Sequence, residues 1–157
     1  MKTDLTRTAE QYLWNHTNKM GVFGCFEVTM GFAGKERVDY ITYETNTTIR
    51  CYEIKVTLAD LKSSAKQTFI GDYNYLVVPQ ELWESILSDG FIYNRYVNHR
   101  IGVLVFDGKS PGIKSVRKAK KQNVSMSTKG MVLESMVRSL SREVEKYYNV
   151  KPFWEVG

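Results

Sequence analysis

Apolar residues recur at helical spacing near both ends of the chain and at strand spacing, or in unbroken runs, between them. Residues 4–19 form the first helical pattern, with Leu5, Ala9, Tyr12 and Leu13 near one face and Thr3 or Asp4 as its cap. Residues 22–30 are extended and apolar except for one acid, Glu27. After a turn at 31–35, residues 36–43 and 48–56 are rich in β-branched and aromatic side chains. The polar stretch Glu44–Thr48 between them is turn-like, which makes the three segments an antiparallel meander.

Thr57-Leu58-Ala59-Asp60 has the form of a capping box, and Leu58, Leu61, Ala65 and Phe69 give the helix behind it an apolar stripe. Gly71-Asp72 ends that helix, and 73–78 is a buried strand, so a right-handed parallel crossover is expected. Pro79 opens a short helix over 80–87 with Leu82, Trp83 and Ile86 inward. Residues 91–100 are expected to be irregular, 101–106 a buried strand, 113–118 another strand, and 122–130 a polar link. A last helix is expected over 131–147, its buried side marked by Met131, Leu133 or Glu134, Met136, Val137, Leu140 and Val144.

The 157 residues suit a single domain spanning 1–157, with no repeat or low-complexity tract to divide it. Cys25 and Cys51 sit in apolar strands as small hydrophobes, and His16 and His99 make no zinc spacing with them. Residues 1–4 lack the apolar core of a signal peptide, and no apolar run is long enough for a membrane span, so a cytoplasmic location and no membrane partner are expected.

The net charge of +5 changes the picture only by favouring an anionic partner. Residues 114–121 hold five bases and no acid: Lys114, Arg117, Lys118, Lys120 and Lys121. Read by itself, that run is better explained as a solvated strand or loop. The sharper chemistry lies in the meander. Strand alternation puts Glu53 and Lys55 on one face and Tyr52, Ile54 and Val56 on the other. If Asp39 joins the first face, two carboxylates and an ammonium share a patch that can hold a magnesium ion and a water; the alternative for the same trio is cross-strand ion pairing on a wet sheet face, worth little energy. Glu27 either belongs to that patch or stands in water or beside a lysine at a sheet edge.

The ordered set Glu27, Asp39, then Glu53-Ile54-Lys55, followed by a helix and a strand, resembles the PD-(D/E)XK nuclease superfamily. Arg37-Val38-Asp39, Glu53-Ile54-Lys55-Val56, Asp60, Lys66, Val77-Val78-Pro79 and the apolar run 101–107 look most like the MmcB-like proteins linked to DNA repair. The resemblance covers about residues 20–118 and leaves the C-terminal helix without a counterpart. It departs from the pattern in having Val38, not proline, before Asp39.

This resemblance implies an α/β fold: an α/β/α sandwich with a restriction-endonuclease-like mixed sheet between helices. It implies a Mg²⁺- or Mn²⁺-dependent deoxyribonuclease, with Asp39, Glu53, the Ile54 carbonyl and Glu27 at the metal and Asp39, Glu53, Lys55 and Glu27 catalytic. Lys62, Lys66, Arg117, Lys118, Lys120 and Lys121 would contact DNA phosphates. A homodimer would let two such centres cut two strands. Two other classes fit the same residues: a nucleic-acid-binding module without turnover, and a protein-interaction factor that uses the C-terminal helix.

Overall fold

The computed structural model describes residues 2–31, 36–63, 68–109 and 112–155. Its helices are α1 (Asp4–Thr17), α2 (Leu58–Lys62), α3 (Gln80–Leu87), α4 (Gly90–Val97) and α5 (Met126–Val150). The strands are β1 (Val22–Met30), β2 (Glu36–Glu44), β3 (Ile49–Ile54), β4 (Tyr73–Pro79), β5 (Gly102–Phe106) and β6 (Lys114–Arg117).

The six strands form one sheet in sequence order, β1 to β6. The first three pair antiparallel, as the meander requires, and β3, β4 and β5 pair parallel. β6 returns antiparallel on β5. The sheet is therefore mixed and flanked by helices, an α/β sandwich. Among the described residues no helix is long and apolar enough to cross a membrane.

Alternation along the strands sorts the core into two layers. On one face Tyr40, Tyr52, Val77, Leu104 and Phe106 pack against Ala9 and Leu13 of α1. On the other, Cys25, Val28, Val38, Ile41 and Cys51 meet Val132 and Met136 of α5. Farther along that second face, Leu76, Val78, Val103 and Val105 are covered by Leu61, Leu82, Ile86, Ile92 and Tyr96 from α2, α3 and α4. Burial raises the thiol pKa of both cysteines, so they behave as the small hydrophobes their positions imply.

An aromatic row crosses the α1 layer. The ladder puts Phe26 opposite Tyr40, Tyr40 opposite Tyr52, and Tyr52 beside Tyr75. Tyr40 is 1% exposed, and its hydroxyl shares a 2.8 Å hydrogen bond with Thr17 at the end of α1. Gly24 makes room for it: a Cβ there would lie 1.9 Å from the Tyr40 oxygen.

Three expectations are corrected. Residues 91–100 are not irregular, because Asp89 caps α4 by accepting from the N–H groups of Phe91 and Ile92, and Ile92 and Tyr96 are buried one turn apart. The last helix starts at Met126, five residues early, under a Ser125 cap, and ends at Val150. Its buried side is Lys129, Val132, Ser135, Met136 and Ser139, whereas Met131, Val137, Leu140 and Val144 are exposed. Val132 and Met136 seat α5 on the sheet with Leu133 beside them, so Met136 and Leu133 lie on the expected side, while Lys129, Ser135 and Ser139 complete the buried face. Lys129 reaches 3.1 Å from Asp72 and donates to the Thr47 carbonyl, and Asp72 also accepts from Ile49 N–H.

Behind Thr57 the capping box is formed in both directions. The helix it opens ends at Lys62; Ala65 and Lys66 lie outside the described residues, and Phe69 is not helical.

Candidate active site

β2 and β3 bring Asp39 and Glu53 together. Their last paired residues are Tyr40 and Tyr52, and the same register carries Asp39 opposite Glu53 one step farther. Asp39 accepts a 2.8 Å hydrogen bond from Ile54 N–H, which ties its carboxylate to the end of β3. The extended backbone of β3 turns the Ile54 carbonyl toward the same β2 edge as its N–H, while Lys55 N–H turns the other way to Val77.

The aim of Asp39 depends on a break in alternation. Ile41 and Val38 both face α5, although they are three positions apart, and Tyr40 faces α1. Counting back from Ile41 places Asp39 on the Glu53 face; the break falls between Val38 and Asp39. β1 breaks in the same row: Cys25 and Val28 share the α5 face, and Glu27 between them has φ 53°. Pairing resumes at Val28 opposite Val38 with no change of register. Such irregularities re-aim side chains at the cost of ladder bonds.

Glu53 is 4% exposed, and its Oε1 has no hydrogen-bond partner among the described residues. Burial is the main cause that pushes its pKa up to about 9, followed by the charge of Asp39 and a hydrogen bond with it. The Lys55 ammonium and the backbone N–H of Thr68 pull the other way without reversing the shift. At neutral pH without a cation, Glu53 therefore keeps its proton beside Asp39. Glu53 also separates the two clusters on its face: its own strand carries Cys51 in one, and its β4 neighbour Leu76 belongs to the other.

Thr68 was not singled out by sequence reasoning, nor was Glu36. The Thr68 hydroxyl donates to Glu36 in a short hydrogen bond while its N–H serves Glu53, so the buried threonine links two acids. The signal in the sequence was slight: a strand-opening glutamate two positions before Val38.

Glu27 is placed elsewhere. Its side chain is half exposed on the edge strand, 3.5 Å from the Lys2 ammonium, which also binds Glu10. It stands across from Asp39 in the row where the ladder is interrupted, but it is not among the groups acting on Glu53.

Lys62 is exposed in the last turn of α2. Arg117 lies in the Glu53 row but three strands away, about 14 Å at usual strand spacing, with β4 and β5 between. It donates to the Ile101 carbonyl. From there Lys118, Lys120 and Lys121 lead away from the C-terminal end of β3: Lys120 N–H bonds Arg100 and Gln122 N–H bonds Asp72. The acid pair and the basic run are thus separate features.

A cleft of about 450 Å³ opens beyond Lys55, where β3, β4 and β5 end. Val56, Leu58, Leu82 and Phe106 give it apolar walls, and Thr57 and Gln80 give it polar ones. Carboxyl ends of parallel strands are the usual ligand position in open α/β sheets.

No family model and no curated protein matches the sequence. A solved structure is similar: a protein of unknown function from Silicibacter pomeroyi, with a TM-score of 0.68 and 17% identity over 92% of this chain and 90% of that one. At that identity the likeness shows the α/β fold alone.

Among the described residues no three His, Cys, Asp or Glu side chains converge as a metal-holding group. The pair nonetheless suits a hard cation. Mg²⁺ is commonly held by one or two carboxylates plus water and substrate phosphate, and a buried carboxyl oxygen without a partner is the kind of group such an ion would satisfy.

Proposed function

We propose that this protein hydrolyses phosphodiester bonds in DNA with Mg²⁺ or Mn²⁺. The observation that supports the reading most is the buried, incompletely bonded Glu53 beside Asp39, with Lys55 two residues on. An ion pair on a wet sheet face would not leave an acid 4% exposed with an unpartnered oxygen. The choice of DNA rests on the sequence resemblance to nucleases.

Asp39, Glu53 and the Ile54 carbonyl would hold the cation. When bound, it lowers the pKa of a water and offsets charge on the phosphoryl oxygens. Lys55 follows β3 on the side of Glu53, on which its ammonium acts; there it would orient the attacking water and offset developing charge. The Ile54 N–H fixes one Asp39 oxygen, leaving the other for the ion. The backbone N–H of Thr68 also holds Glu53. The strand-end cleft would receive part of the substrate next to the scissile bond.

A panel of single-stranded, duplex and branched DNA, incubated with Mg²⁺ or Mn²⁺, tests the reading. Cleavage should be abolished by EDTA and lost in Asp39→Asn and Glu53→Gln, and Lys55→Ala should slow it about 100- to 1,000-fold. If the wild type cuts nothing, or the variants cut like it, the enzyme reading fails. Salt-sensitive DNA binding without cleavage would then favour a binding module that uses the detached basic run.

A further inference from the structure

On the α1 face, at the opposite end of β3 from Lys55, lies a second cleft of about 240 Å³. Its walls come from four parts of the fold: the end of α1 with His16 and Thr17, the following Lys19, the β2–β3 hairpin with Thr42, Glu44 and Arg50, and the β5–β6 pair with Leu104 and Ser115. Tyr52 and Tyr75 stack at its floor, ring centroids 5.0 Å apart and 13° from parallel.

Arg50 is the fixed point. Its Nε donates to Glu44 at 2.9 Å, its Nη1 to the Tyr75 hydroxyl at 3.0 Å, and its guanidinium lies 4.4 Å from the centre of the Tyr73 ring. These contacts engage two of the five N–H donors of a guanidinium and hold the rest in place. Glu44 is neutralised by that bond, so Lys19 leaves the lining with one net positive charge even when His16 is neutral. At the end of α1 the Asn18 N–H caps the Trp14 carbonyl, and the Thr17 hydroxyl donates back to Leu13. Hydroxyls of Tyr75 and Ser115 complete a polar wall, and Thr42 lies fully buried beneath, beside the Tyr52 hydroxyl.

A pre-set guanidinium, an ammonium and hydroxyls around a small cleft suit a compact oxyanion better than an apolar ligand or a cation. We infer that this cleft binds a phosphate group, either inorganic phosphate or the phosphate of a small monoester. It lies on the opposite face of the sheet from Glu53, so it is a separate site and its occupancy does not depend on the nuclease reading.

Calorimetric titration of the full chain with inorganic phosphate and with a deoxynucleoside 5′-monophosphate, each at constant ionic strength, tests this. Saturable one-to-one binding is expected for at least one of the two. Equal affinities assign the ligand to free phosphate chemistry; tighter monophosphate binding assigns it to a monoester. Arg50→Gln should weaken binding about tenfold, the scale of one charge-assisted hydrogen bond. Arg50 also braces the hairpin, so Ser115→Asp, on an exposed position of β6, is the second variant: it adds a negative charge at the rim and should weaken binding without unfolding the protein. Asp39→Asn should bind as the wild type does. No saturable binding of either ligand, or binding unchanged in Ser115→Asp, overturns the proposal.

Discussion

Glu53→Gln is expected to abolish metal-dependent cleavage and, in the absence of divalent ions, to make the protein more stable than wild type above neutral pH. Glu53 in the folded protein titrates at about 9, against 4.5 for the free group. Between those values the folded state holds a proton that the unfolded state has lost, so stability falls as pH rises through the window and levels off beyond it. Below about pH 4 both states are protonated and the penalty vanishes. The amide that replaces the carboxyl in the variant is neutral throughout. Melting temperatures of wild type and variant should therefore coincide in acid and diverge as pH rises, with the wild type lower. Parallel curves would mean that burial does not destabilise the Glu53 charge, and with that the physical reason for a cation at this place would go.

The second large effect concerns the helix for which no counterpart could be named. Lys129→Met should destabilise the protein by about 3–5 kcal/mol, the usual cost of removing one partner of a buried pair. The loss would strand Asp72, whose side chain is 4% exposed, with Ile49 N–H as its remaining partner among the described residues. Adding Asp72→Asn should recover much of the loss, because the amide oxygen still accepts from Ile49 and no charge is left buried. Denaturant unfolding of the single and double variants measures both numbers. A cost under about 1 kcal/mol for Lys129→Met, the range of an exposed pair, would mean that the pair does not hold α5.

These two residues mark what the sequence could and could not reveal. The meander was legible because β-branched and aromatic runs alternate around polar turns, and the capping box at Thr57 because its residues are local. The face of α5 was not. Its contact positions include Lys129, Ser135 and Ser139, which no hydrophobic pattern selects, and the apolar residues that do form a pattern, Val137, Leu140 and Val144, point away from the sheet. α4 was missed because eight residues interrupted by Asn94 and Arg95 carry little periodicity; its stability comes from the Asp89 cap and from Ile92 and Tyr96 under the sheet.

The candidate site was legible in part for the same reason. Period-two spacing sets Glu53 and Lys55 on one face of β3. The register that brings Asp39 opposite Glu53 follows from the hairpin, but the break between Val38 and Asp39 that aims it has no signature in residue type. Glu36 is tied to the neighbourhood by Thr68, thirty-two positions away, a link made by tertiary packing. Glu27 fits the ordered pattern of acids, yet its left-handed backbone and its exposure place it beside Lys2.

The measurement that bears most directly on the cation site is calorimetric titration of Mn²⁺ near neutral pH in two buffers of different ionisation heat. A carboxyl that is neutral before binding must lose its proton to hold a metal. The wild type should bind Mn²⁺ with release of about one proton, and Glu53→Gln should release none and bind far more weakly. Mn²⁺ binding that is the same in both proteins, with no proton released, would contradict the assignment of Asp39 and Glu53 as the cation site.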